Sequence, residues 1–250
     1  MNKTFELIYV EFKGIFRIPI ILVFSIILPQ LLLFAITMST KNSLVYGNNH
    51  FVDIFMPSII LMVLLTSGIT NYSIGVTLNR SRGIWQTFFL KGFKLYEVVI
   101  SHLFVYMMLA LIGTVCVIFS GRIFFSSLLP SFTDLIILFI IWLLSAIVIF
   151  MIGFCIGCFS KSEKVTQPVS TTLMFILMFT SGVFTNIKTL PFYIQDIVNY
   201  LPSTQIYYIL FNHWTMTEYY NVSWWILIIW IIFLIVIIIW KLKKDDLSRT

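Results

Sequence analysis

The chain has 250 residues, 60% of them hydrophobic and only 10% charged, with a formal net charge of +6. A soluble domain of this length needs far more polar surface, so the composition excludes a water-soluble enzyme and points to the bilayer as solvent. The basic charge is split among short segments rather than gathered on one face, which argues against nucleic-acid binding.

The first 18 residues read as one amphipathic helix. Phe5, Ile8, Tyr9, Phe12, Ile15 and Phe16 recur at i, i+3, i+4 and i+7, with Glu6, Lys13 and Arg17 mainly opposite, a pattern that suits a helix lying in the membrane interface and ending near Pro19. Glu6 and Glu11 interrupt any basic n-region and no small-residue cleavage site follows Met38, so this is not a cleaved signal peptide. Apolar runs then fall at 19–38, 54–76, 98–119, 135–157, 165–184 and 222–240. Lipid offers no partners to free backbone groups, so each run must close its own hydrogen bonds as a helix. The fifth run is diluted at its start by Thr166, Gln167, Ser170, Thr171 and Thr172. The fold class expected is all-α, a polytopic membrane protein with six transmembrane helices in one domain spanning residues 1–250.

Lys and Arg set the orientation. With six spans, both termini and the loops at 77–97 and 158–164 share a side carrying 13 basic residues, against Lys41, Arg122 and Lys188 on the other. The positive-inside rule then places both termini in the cytoplasm. Trp214, Trp224 and Trp225 at the outer end of the last span, and Trp240 at its inner end, read as interfacial anchors.

Chemistry-bearing constellations do not assemble. Cys155 and Cys158 have C-x-x-C spacing, but at the end of an apolar helix with no nearby His they read as small residues. Gly153 and Gly157 in the same turns form a G-x-x-x-G that lets another helix approach closely. His50, His102 and His213 are scattered, so no metal site and no catalytic residue is assigned. Asp53 and Asp134 read as boundary residues at span starts. No span carries a carboxylate or Lys in its middle, which counts against an ion-coupled carrier. With no Gly-Lys dipeptide anywhere, a phosphate-binding G-x-x-x-x-G-K-[ST] loop is absent; if ATP drives this protein, another chain must hydrolyse it.

Two connecting segments stand out. In 77–97, Ile84, Trp85, Phe88 and Phe89 form an apolar stripe between Gly83 and Gly92, predicting a short helix along the membrane that either rests on headgroups or is gripped by a partner. In 185–221, Phe192–Tyr200 and Thr204–Trp214 predict two short helices separated by Pro202, with Leu201 held extended. Too short to span, they would dip into the outer leaflet or cap a cavity.

Those residues carry a resemblance over essentially the whole chain. Asp53-Ile-Phe-Met-Pro57, Asn79-Arg-Ser-Arg-Gly83 and Lys91-Gly-Phe-Lys94, followed by Ser181-Gly-Val-Phe184, Leu190-Pro191 and Leu201-Pro202, resemble the permease subunit of type-2 ABC exporters. Arg80 and Gly83 match that family's turn before the coupling helix. Asn79 and Ser81 stand where carboxylates are usual, and Gly92 where a proline is. The resemblance implies an N-terminal elbow helix (1–18), a cytoplasmic coupling helix (within 77–97) and an extracellular re-entrant helical pair (within 185–221). It further implies a cytoplasmic ABC ATPase dimer as partner, carrying the ATP and Mg, and a second permease copy or a related permease. Coupling falls to Arg80, Arg82, Gly83, Trp85, Phe88 and Lys91; a translocation path to Phe55, Thr66, Asn71, Thr171, Phe175 and Phe179; the re-entrant turn to Pro191 and Pro202. Uncharged, aromatic-rich spans suit amphipathic or apolar cargo such as a membrane-active peptide, drug or lipid. The Ile-, Phe- and Lys-rich usage resembles that of a low-GC Gram-positive bacterium, and among such permeases those exporting toxin peptides of the phenol-soluble modulin type are the favoured comparison. An ion-coupled secondary carrier and a peptide-binding immunity membrane protein stay open as alternatives.

Overall fold

A computed structural model describes residues 3–16, 19–40, 44–46, 49–184, 187, 191–217 and 220–247. Arg17, Lys41, Lys188, Leu190 and Arg249 of the sequence reading lie outside the described residues. In chain order the helices are α1 (Lys3–Phe16), α2 (19–39), α3 (Phe51–Ser81), α4 (Ile84–Leu90), α5 (Leu95–Phe125), α6 (Phe132–Phe159), α7 (Glu163–Thr180), α8 (Phe192–Asn199), α9 (Pro202–Thr215) and α10 (Trp224–Leu247). A two-stranded hairpin, β1 (Leu44–Tyr46) and β2 (Asn49–His50), adds a minor departure from the all-helical expectation.

Four helices, α3, α5, α6 and α10, are long and apolar enough to cross a membrane by length and composition. The apolar stretch Val23–Ser39 of α2 is shorter, and α7 is polar through its first turns. The chain is a polytopic membrane protein. Its bundle is organised around α3, whose apolar window is 94% buried, whereas that of α10 is 11% buried. The burial of α3 comes from neighbours closing round it: α2, α5, α6, α7 and α9 all pack on it.

Close approach is built on glycine. A Cβ on Gly153 of α6 would sit 1.9 Å from the Gly68 carbonyl oxygen of α3, and one on Gly157 would sit 2.7 Å from Val76 and 2.8 Å from the Ser73 carbonyl. The predicted G-x-x-x-G is therefore a backbone-to-backbone contact, made against a π-helical turn, Thr66–Tyr72, inside α3. A second π turn, Val23–Ile27, lies in α2. The two turns meet through polar side chains: Asn71 Nδ2 donates to Ser25 Oγ at 2.7 Å and Ser67 Oγ donates to the same atom at 3.3 Å. In hydrocarbon these groups have no water to turn to, so a π turn that aims them at one another satisfies them.

The start of α3 is pinned by Asp53, which is buried and accepts from Ser127 Oγ (2.9 Å), Leu128 N (2.8 Å) and His50 N (3.0 Å). Asp134 sits beside the N-cap of α6, bonded to Ser131. Both aspartates are boundary residues, as their positions predicted. Trp224, Trp225 and Trp240 are exposed on α10 as anchors require, but Trp214 is not: it is buried at 6% exposure in the core.

In α1 the structure divides the predicted apolar stripe. Phe5, Tyr9 and Phe12 face away from the protein, while Ile15, together with Leu7 and half-buried Glu11, turns toward α5. The protein-facing line carries a carboxylate at its centre.

Candidate functional site

The end of α3 leads directly into the 80–94 loop, and Arg80 is the joint. Its Nη1 donates to the carbonyls of Gly157 (3.2 Å) and Cys158, the terminal carbonyls of α6. A guanidinium there satisfies orphan acceptors and opposes the negative end of the helix dipole. Thr77 adds a bond to the Gly157 carbonyl (3.2 Å), and Thr166 of α7 donates to Thr77 Oγ1 at 2.9 Å. Three helices are thus tied together where the loop begins.

Gly83 then turns the chain at φ +69°, a conformation that favours glycine, and α4 follows for seven residues. Trp85 is buried at 4% exposure and roots α4 in the bundle, while Phe88 is half-buried and packs edge-on against Phe93 at 6.0 Å. Gly92, at φ +82°, closes the turn, and Glu97 caps α5 by accepting from Lys94 N at 2.8 Å. The outward face carries Arg82, Gln86, Leu90 and Lys91. Leu90 is 90% exposed. Of the six residues expected to meet a partner, Arg82 and Lys91 face outward, Gly83 shapes the turn, and Arg80, Trp85 and Phe88 point inward. Gln86 and Leu90 were not anticipated, because a stripe of large apolar residues marks the rooted face rather than the free one.

Sequence reading also missed a buried cluster beneath this loop. Glu11 of α1 meets His102 Nδ1 of α5 at 3.0 Å, and Asn79 Nδ2 of α3 donates to the other Glu11 oxygen at 3.3 Å. The His102 side chain is 3% exposed and that of Glu11 13%. Tyr72 and Tyr106 enclose the imidazole, with ring centroids 5.4 and 4.8 Å away. Gly75 leaves the necessary room: a Cβ there would sit 2.6 Å from the Tyr106 hydroxyl and 2.7 Å from His102 Nε2. The cluster links α1, α3 and α5 just before the loop. Asn79 occupies the position read as a lost carboxylate, and its side-chain amide meets the Glu11 carboxyl group of another helix.

The expected path residues are not brought together within one chain. Phe55, Thr66 and Asn71 are buried inside α3's surroundings; Phe55 stacks on Phe51 at 5.5 Å, Thr66 bonds back to the Met62 and Val63 carbonyls, and Asn71 is held by Ser25. Phe175 and Phe179 are about half-exposed on α7, with Thr171 partly buried beside them.

At the opposite end, Pro202 separates α8 from α9 as expected, and Leu201 is extended at φ −76°, ψ 139°. Helix α9 is buried through most of its length, whereas Phe192 and Tyr193 of α8 are exposed. Amide side chains fasten the pair: Gln205 donates to the Asn199 carbonyl (2.7 Å) and accepts from Ser223 N (2.8 Å), and the Tyr208 hydroxyl donates to Asn199 Oδ1 at 2.8 Å. Burial, with Tyr207 adding to it, pushes the Tyr208 phenol up to about 12. Gly182 (φ +92°) lets the chain turn against the Tyr207 ring, which accounts for the Ser-Gly pair after α7. Pro191 is the N-cap of α8.

Comparison with curated proteins finds no match. The family model described as ABC-2 family transporter protein matches residues 35–240, a stretch that takes in α3 to α9, the 80–94 loop and most of α10. The chain therefore belongs to the ABC-2 transporter family, as a membrane-embedded permease that works with a partner ATPase.

Proposed function

We propose that this permease is the membrane half of an exporter with six spans, α1 as its elbow helix, α4 as its coupling helix and α8–α9 as its re-entrant pair. Both termini and α4 face the cytoplasm, in keeping with the distribution of Lys and Arg. A cytoplasmic ATPase dimer grips α4 of each of two permeases, and its closure on ATP moves that helix. The observation that carries this reading is the two-faced character of α4. Trp85 roots one side, and Arg82, Gln86, Leu90 and Lys91 are left on the other. Arg80 ties the base of the loop to α6, and Glu11–His102–Asn79 ties it to α1 and α5, so displacement of α4 is passed to whole helices.

The path lies between the two permeases rather than inside one, because α3 is enclosed while α7 keeps Phe175 and Phe179 outward. An uncharged aromatic wall suits amphipathic or apolar cargo, and membrane-active peptides are the class proposed. The test is Leu90→Asp with Lys91→Glu in the reconstituted complex. Both residues are exposed, so the permease stays folded while cargo-stimulated ATP hydrolysis falls at least tenfold. Unchanged stimulation in a folded double variant would remove α4 from the coupling role.

A further inference from the structure

A groove of about 730 Å³ opens at the end of the bundle remote from α4, where α8, α9 and the segment leading into α10 meet. Sites for small ligands run from about 300 to 1000 Å³. Hydrogen bonds brace its walls to one another. Gln205 of α9 spans the gap, donating to the Asn199 carbonyl of α8 (2.7 Å) and accepting from Ser223 N (2.8 Å). Trp230 Nε1 of α10 donates to the Tyr200 carbonyl at 2.9 Å, and the Tyr208 hydroxyl donates to Asn199 Oδ1 at 2.8 Å. Tyr208 also stacks on Tyr220, with ring centroids 4.3 Å apart. The groove is shaped by contacts that need no occupant, which lowers the cost of ordering it around one.

The bracing leaves a mixed set of polar groups over. Among the described residues, the Asp196 carboxylate has no hydrogen-bond or ion-pair partner. With Asn199 Oδ1 taken by Tyr208, the Asn199 Nδ2 group remains as a donor. The Asn221 amide and the Ser223 hydroxyl are likewise without a partner among the described residues, and Tyr200 is 68% exposed. No Lys or Arg lines the groove.

From this inventory we infer a binding site for a neutral sugar, either a free saccharide or the headgroup of a glycolipid. The other ligand classes fit worse. An anion meets Asp196 and finds no cation. An ammonium group only donates, so it uses Asp196 and leaves the Asn199, Asn221 and Ser223 donors idle. An apolar ligand strips water from all of these groups and returns nothing. Sugar hydroxyls both donate and accept. Neighbouring hydroxyls therefore give a hydrogen to Asp196 or the Asn221 carbonyl and accept one from Asn199 Nδ2 or Ser223. The Tyr200 ring supplies the flat apolar surface on which the C–H face of a sugar ring rests, with its hydroxyl at the edge.

The experiment is saturation-transfer NMR on the purified permease in phosphatidylglycerol nanodiscs, with maltose, tetramethylammonium or glycerol phosphate as probe. The expected result is saturable transfer to maltose, at least tenfold tighter than to either ion. Asp196→Ala with Asn221→Ala should weaken maltose binding at least tenfold. Both residues are exposed, so the unfolding midpoint should stay where it is. Thr133→Ala, exposed at the start of α6 and outside the lining, should leave maltose binding intact. Nanodiscs doped with a diglucosyl diacylglycerol separate the two sources: displacement of maltose assigns the site to a lipid headgroup, and undiminished maltose binding assigns it to a free saccharide. Absence of transfer to maltose, equal transfer to tetramethylammonium, or maltose binding that survives the double variant would overturn the site. The readout uses the permease without any ATPase, so its failure is separable from failure of the coupling or topology assignments.

Discussion

Gly153→Ala is a single methyl group placed at the tightest contact between α6 and α3. Its Cβ would lie 1.9 Å from the Gly68 carbonyl oxygen and 2.9 Å from the carbonyl carbon. Neither atom belongs to a flexible side chain. To restore a contact near 3.5 Å the helices must part by more than about 1 Å, and the loss of dispersion runs along the whole seam. Gly68 and Gly157 tighten the same seam, where added Cβ atoms would meet Ile149 and Val76 at 2.7 Å. In a bilayer this packing, with hydrogen bonds, is what holds helices together, since lipid is as apolar as leucine. Overpacking of an interior costs roughly 1–3 kcal/mol, and an obstacle made of backbone puts this variant near the top of that range. Gly14→Ala is the control: it is the same chemical change on α1 with nothing within 4 Å of the new Cβ, and helix propensity favours it by about 1 kcal/mol. Thermal unfolding in one detergent should therefore lower the midpoint for Gly153→Ala by several degrees and hold or raise it for Gly14→Ala. Equal midpoints for wild type and Gly153→Ala would refute the close-packed α3–α6 seam.

His102→Ala strips Glu11 of its 3.0 Å partner in a nearly closed pocket, and loss of a hydrogen bond to a charged group costs about 1.5–3 kcal/mol. Proteolysis of α1 in the purified protein should accelerate, while His213→Ala, remote from that pocket, should not change it. Asn71→Leu leaves Ser25 and Ser67 with only their 3.3 Å contact, and a loss of about 1 kcal/mol is expected from membrane hydrogen-bond cycles, read as a lower unfolding midpoint. Pairing it with Ser25→Ala should be markedly less than additive, because both changes remove the same bond. For topology, cysteine at Ser43 should label from outside intact cells and cysteine at Ser248 should not; the opposite pattern would invert the orientation.

The four helices long and apolar enough to cross a membrane were legible, because an apolar run of about 20 residues has no alternative to a helix in lipid. Gly153–Gly157 and the Leu201–Pro202 break were equally open to reading, since each acts through its own backbone. The π turns were not. Thr66–Tyr72 is rich in weak helix formers, but nothing local marks it or Val23–Ile27 as a π turn, and the hydrogen bonds that join the two turns link residues 42 and 46 positions apart. Glu11 and His102, 91 residues apart, likewise leave no local trace of their pairing. In 80–94 the existence of a helix was visible, but its orientation was not: the large apolar stripe suggested the partner's side, and the structure uses it as the root. Arg80 was read as a coupling residue facing a partner; the acceptors it meets in the structure are backbone carbonyls of α6, which no side-chain pattern reveals.

The central claim is that a separate ATPase drives this permease through the free face of α4. A photoreactive amino acid at Leu90 tests it directly, with the complex purified gently from its native membrane. Irradiation should join Leu90 to a cytoplasmic ATPase, whereas the same group at exposed Phe192, at the opposite end of the bundle, should not. Recovery of a transport-competent permease whose Leu90 position never cross-links to an ATPase would contradict the account.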